Sequence, residues 1–182
     1  MLQRLLVLVL FSFFATIVWG HGLAPQPPDH EARKISFPDT ADHKTLVFDP
    51  HTHSVFSDGH VWPKIRVGEA LRDGLDALAV TEHLEYQPHI EDIPHPDRNR
   101  AFAETAEAAK YRDLLIVPGA EITRDLPAGH MNAVFIEDAN KLYSVPNQDE
   151  LRTPNEFRAA ANEWPSQSAV EAANEQGAFL FW

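Results

Sequence analysis

From Leu46 onward, five short apolar runs alternate with stretches of helical periodicity, and this alternation restricts the fold more than any other feature. Leu46–His53 (LVFDPHTH), Asp76–His83 (DALAVTEH), Leu114–Thr123 (LLIVPGAEIT), His130–Glu137 (HMNAVFIE) and Ala178–Trp182 (AFLFW) read as strands. Between the first two, Pro63–Leu75 sets Ile65, Val67, Leu71 and Leu75 at near-helical spacing. Pro63 suits a first turn there and Gly74 an end. An alanine-rich helix is expected over Arg100–Lys110, and two more over Asp149–Glu163 and Ser166–Gln176. Strands alternating with helices predict an α/β fold of parallel β/α units. Five strands are too few to close a barrel of such units, and the last has no helix to cover it. The sequence is therefore expected to be cut short.

Upstream, residues 1–20 carry one cation, Arg4, followed by an apolar run from Leu5 to Trp19. Val18 and Gly20 fit the −3 and −1 positions of a signal-peptidase site, so 1–20 is read as a signal peptide cleaved after Gly20, giving a periplasmic or secreted protein. The alternative is a retained N-terminal membrane anchor. Residues 21–45, with Pro25, Pro27, Pro28 and Pro38, read as a Pro-rich lead-in, which leaves 46–182 as the folded domain.

The chain has no cysteine, which excludes a disulfide scaffold, a thiolate-held metal and a thiol nucleophile. Its formal charge of −12 argues against stable nucleic-acid binding, which needs a basic face. Ten histidines remain to be placed.

The C-terminal ends of the strands locate the chemistry. The first ends in His51-Thr-His53, the second in Thr81-Glu82-His83 and the third in Gly119-Ala-Glu121; His130 lies in the loop before the fourth. Parallel α/β architectures gather ligand-binding groups at that rim. Residues i and i+2 of a strand share a face, so His51 and His53 can reach one ion. Taken singly, each has an ordinary explanation: an isolated His-x-His is commonly a chance pair, and Ser57-Asp58-Gly59 is usual turn chemistry. His83 could cap a strand, and His130 could bond backbone. Glu121 is harder to dismiss, because a carboxylate ending so apolar a strand needs a partner. Together they fit a shared metal site.

These residues resemble the PHP (polymerase and histidinol phosphatase) superfamily of metal-dependent phosphoesterases. The likeness runs from about Phe48 to the end, through HTHSVFSDG, the Pro-led helix closing on Gly74-Leu75-Asp76, ALAVTEH, VPGAEIT and GHMNAV. Glu82 stands where many members have Asp, and this longer carboxylate could serve behind the ligands. The resemblance implies a distorted (β/α)7 TIM-like barrel, here truncated after about five strands. It implies two or three divalent ions (zinc, manganese or iron) and a small phosphorylated substrate. His51 and His53 would hold the first ion, Glu121 would bridge the first and second, His130 would hold the second, and Asp58 and His83 the third. Glu121 and His53 would thus be central to catalysis. The family pattern continues with a His past the fifth strand and a later Asp-x-His, neither of which is in this sequence, so the chain alone is expected to lack part of the site.

Around the rim, Arg124 could reach a phosphate oxygen or pair with Asp125, while His60, His89 and His95 sit in loops that could meet substrate or solvent. His21, His30 and His43 belong to the lead-in. Two other readings stay open. Amidohydrolase-type barrels also begin with His-x-His, but no lysine ends strands one to four to favour them. A non-catalytic metal-binding module is the other. The sequence does not indicate an oligomeric state.

Overall fold

The computed structural model describes residues 32–124, 129–145, 147 and 150–182. The expected signal peptide, the lead-in up to residue 31 and Asp125 lie outside them. Residues 32–45 form no helix or strand, yet they belong to one compact unit, Ala32–Trp182. The Arg33 amide donates to the Arg72 carbonyl (2.8 Å), and the Arg33 carbonyl occupies the space a Cβ on Gly74 would need. Arg33 thus touches the domain at Arg72 and Gly74, while residues 32–45 stay exposed.

Strands β1 (Phe48–Asp49), β2 (Ala77–Val80), β3 (Leu115–Ile122), β4 (Met131–Val134) and β5 (Phe179–Phe181) form one sheet in that order. The helices are α1 (Pro63–Asp73), α2 (Arg100–Ala109), α3 (Pro154–Asn162) and α4 (Ser166–Glu175), with a 3-10 turn at Ala139–Leu142. No helix among the described residues is long and apolar enough to cross a membrane.

β1, β2 and β3 pair in parallel, as the alternation predicts. The fourth strand corrects that expectation, because β4 runs antiparallel to β3, and β5 antiparallel to β4. The physical reason is chain length: residues 123–130 are too few for a parallel crossover, which takes about a dozen residues or more. The result is a mixed five-strand sheet that fits part of a barrel. The first strand is also shorter than Leu46–His53, since Pro50 has no N–H for the ladder. Beyond it Thr52 keeps the chain against β2, exchanging hydrogen bonds with Thr81 (Thr52 N to Thr81 Oγ1 3.0 Å; Thr81 N to Thr52 O 3.0 Å).

Strand alternation sorts the core. On the helix-covered face, Leu78 packs with Val67, Ala70, Ala109 and Leu114 under α1 and α2. Ala120, Ile122 and Ala133 pack with Phe157, Ala161, Ala169 and Ala173 of α3 and α4. On the other face, Ala79, Val117 and Val134 form a buried layer flanked by Phe48 and Phe181. Stepping by two along β3 from Val117 reaches Gly119 and Glu121, and backwards along β4 from Val134 reaches Asn132 and then His130. The inner face is thus apolar at one level and carries the candidate ligands at the next.

Candidate metal centre

Local structure brings six residues together at this rim. After β2 the chain continues beside β3: Glu121 N donates to the Glu82 carbonyl and Leu84 N to the Glu121 carbonyl (both 2.9 Å), which sets His83 directly opposite Glu121. His130 reaches the same rim because β4 is antiparallel, so its N-terminal end lies beside the C-terminal end of β3. His51 and His53 project from the segment beyond Pro50, and the Arg66 side chain fixes that segment through its bond to the His53 carbonyl (2.6 Å). The turn carrying Asp58 folds back so tightly that a Cβ on Gly59 would come within 2.6–2.7 Å of the His53 and Ser54 backbone.

The ligand atoms converge on Glu121, which is buried. Its Oε2 faces His51 Nε2 (2.7 Å) and His53 Nε2 (3.0 Å), which are themselves 2.8 Å apart. Its Oε1 faces His130 Nδ1 and His83 Nδ1, the latter at 3.5 Å. Asp58 lies between His53 Nδ1 (3.6 Å) and His83 Nε2 (3.4 Å). Three overlapping groups result in which one ligand atom from each member lies within 4.8 Å of the others: His51/His53/Glu121, His53/Asp58/His83 and His83/Glu121/His130.

Electrostatics follow from this crowding. Burial disfavours the ionised Glu121, but hydrogen bonds from His53 and His51 and the neighbouring imidazoles outweigh it and hold the carboxyl down to about 2. Burial also opposes protonation of His53, yet its hydrogen bond to Glu121 and the nearby carboxylates win, and its pKa rises. His83 goes the other way, chiefly because it is desolvated.

The donor set fits divalent ions. Glu121 Oε1 is buried and accepts no well-formed hydrogen bond although two imidazole nitrogens face it. A buried oxygen that faces two imidazole nitrogens without a well-formed hydrogen bond is placed to take an ion, and imidazole with carboxylate suits zinc, manganese or iron.

Supporting groups surround the six. Thr123 Oγ1 bonds His83 Nδ1 (2.6 Å), and Asn132 Nδ2 lies 3.4 Å from His51 Nδ1. Sequence reasoning missed both. Asn132 was within reach of it, since the i, i+2 rule that pairs His51 with His53 also pairs His130 with Asn132. Glu82 is buried and accepts from Ser54 and Ser57.

The peripheral candidates fall elsewhere. Arg124 is engaged: its guanidinium pairs with buried Glu85 and donates to the carbonyls of Thr123 (2.7 Å) and Trp164 (2.6 Å), which corrects the expectation of a free phosphate-binding fork. His95 is buried against Phe56, with Nδ1 on the Ile93 carbonyl (2.5 Å), and is not a solvent-facing rim residue. His89 is half-buried and lies outside the three groups; its carbonyl accepts from Asp92 and Ile93 N. His60 is exposed.

A mixed α/β sheet that offers histidines and carboxylates at one rim could hold divalent ions there. A two-domain protein of Bacteroides vulgatus containing a predicted PHP-like metal-dependent phosphoesterase has 41% sequence identity to this chain and a TM-score of 0.69; the match covers 84% of this chain and 38% of that one. An uncharacterized protein of Methanocaldococcus jannaschii is 33% identical over 81 residues, 44% of this chain and 35% of its own. No family model matches. The chain thus spans little more than a third of either relative, while the match to the Bacteroides protein extends over most of its own length.

Proposed function

We propose that the protein is an exported phosphoesterase of the PHP type that hydrolyses a phosphomonoester or phosphodiester at a two- or three-metal site. One observation carries this reading: the two oxygens of Glu121 face different histidine pairs, His51/His53 on one side and His83/His130 on the other. A carboxylate so placed suits bridging. His51, His53 and Glu121 would hold one ion, Glu121 with His130 a second, and Asp58 with His83, through the Nε2 that Thr123 leaves free, a third.

Bound divalent ions supply a hydroxide near neutral pH and offset the charge of a phosphate. The chain's own contribution is to fix the ligands before substrate arrives. Thr123 orients His83, Asn132 faces His51, and the backbone bonds between Glu82, Glu121 and Leu84 hold the two strand ends in register. An acidic chain can accept an anionic substrate on this scheme because local cations, not bulk charge, meet the phosphate.

The test uses the protein as encoded in full, with manganese, zinc or iron and activated phosphomono- and diesters. Glu121→Gln keeps the shape and removes the charge, and is expected to lower hydrolysis by about 100-fold or more and to reduce metal content. Absence of bound divalent ion in the unmutated protein, or unchanged turnover in the variant, refutes the proposal. Export is tested separately: the mature protein should begin at His21, whereas a membrane fraction retaining Met1 would indicate an anchor.

A further inference from the structure

We propose that Glu82 and Ser57 act as positioning residues that lock the tautomer of His53, so that its Nε2 is the ligand nitrogen and its Nδ1 is not. The inference rests on the metal reading above and adds which atom serves. Glu82 is buried and its known partners all donate to it. The Ser54 amide lies 2.9 and 3.0 Å from its two oxygens, the Ser54 hydroxyl 2.5 Å from Oε1, and the Ser57 hydroxyl 2.5 Å from Oε2. Ser57 is fully buried, and its oxygen also lies 3.2 Å from His53 Nδ1.

A hydroxyl has one proton and two lone pairs. Once Ser57 gives its proton to Glu82, its oxygen can only accept from His53, and His53 must carry hydrogen on Nδ1. The Nε2 lone pair is then free, and Nε2 is the atom that lies near His51 Nε2 and Glu121 Oε2. The same logic removes an ambiguity. His53 belongs to two of the three groups, and Asp58 faces it from the Nδ1 side at 3.6 Å. With Nδ1–H held by Ser57, His53 serves the ion shared with His51 and Glu121 and is withdrawn from the group of Asp58 and His83. Glu82, next to His83 in the chain, thus acts on a different ligand, His53.

The experiment uses full-length protein with histidine labelled in 15N. In the zinc-loaded form, long-range 1H–15N spectra should show His53 protonated at Nδ1 and bare at Nε2. Ser57→Ala and Glu82→Gln should each weaken zinc binding by about 10–100-fold. The double variant should be no worse than either single, because the two act as one chain, and Ser57→Thr, which keeps the hydroxyl, should bind zinc like the parent. Zinc on Nδ1, or unchanged affinity in Ser57→Ala, overturns the proposal. If the parent protein binds no zinc, it is the functional reading that fails, and metal-free protein decides the lock. There Glu121→Ala removes the competing carboxylate, and spectra are taken above the usual imidazole range. An Nδ1–H tautomer that Ser57→Ala abolishes supports the lock; the same tautomer with and without Ser57 refutes it.

Discussion

Gly59 shows how single residues set this site. Its φ is ordinary for any residue, so its requirement is steric: a Cβ would meet the His53 carbonyl carbon and oxygen and the Ser54 Cα at 2.6–2.7 Å, all backbone atoms that cannot rotate aside. Gly59→Ala is expected to cost about 1–3 kcal/mol of stability, the range for overpacking a filled site, and to weaken metal binding because His53 moves with the strained backbone. Chemical denaturation and zinc titration of the variant check both; an unchanged unfolding midpoint would show that the turn adapts freely. The candidate ligands were legible in the sequence, since His51, His53, His83 and Glu121 each close an apolar run and such ends converge. Among the groups around them, Glu82 was legible from the family resemblance and Asn132 from its spacing, but the pairings of Glu85 were not. Glu85 meets Thr123 and Arg124 across separations of 38 and 39 residues, and no local pattern encodes a pairing that depends on the register of β2 against β3.

At the scale of elements, two short segments clasp each other beside α2. Asn140 donates to Asp97 (2.9 Å) and accepts from Arg98 N (2.9 Å), while Asn99 donates to Asp138 (2.8 Å) and accepts from Ala139 N (2.9 Å). These bonds hold both aspartates below their ordinary carboxylate range: Asp97 chiefly through Asn140, Asp138 chiefly through Asn99. A depressed folded-state pKa means stability that is present above the unfolded value of about 3.9 and is lost as pH falls through the lower folded values. Asn140→Ala should therefore cost about 1 kcal/mol near neutrality and progressively less below about pH 3.5. Denaturant midpoints of parent and variant across that interval test it, and a gap that stays constant with pH would remove the aspartates from the explanation. Element boundaries followed local chemistry where it was read correctly. The helix expected from Asp149 starts at Pro154, because Thr153 and Glu156 form a capping box with each other's backbone. That signature is visible in Thr-Pro-Asn-Glu, whereas the reversal of β4 follows from counting the residues available for a crossover.

Across the whole molecule, the site ties together segments that the sheet alone holds only at its lower level. The buried layer of Ala79, Val117 and Val134 joins β2, β3 and β4 beneath it, while β1 contributes two residues to the ladder and β5 three. Above that layer the groups that draw in His51 and Glu121 span 70 residues of sequence and would otherwise rest on hydrogen bonds among histidines and one buried carboxylate. An ion bound there stabilises the folded chain by its binding free energy, about 2.7 kcal/mol at a hundred times the dissociation constant. For a unit of this size that corresponds to roughly 5–10 °C in melting temperature. Full-length protein in zinc should therefore melt at a higher temperature than after chelation, and readdition of zinc should restore the difference. The same comparison on Glu121→Ala should show little change, since the carboxylate common to two of the groups is gone. Equal melting temperatures with and without zinc in the parent would mean that the rim organises without an ion, and that the strand ends are set by the protein's own hydrogen bonds.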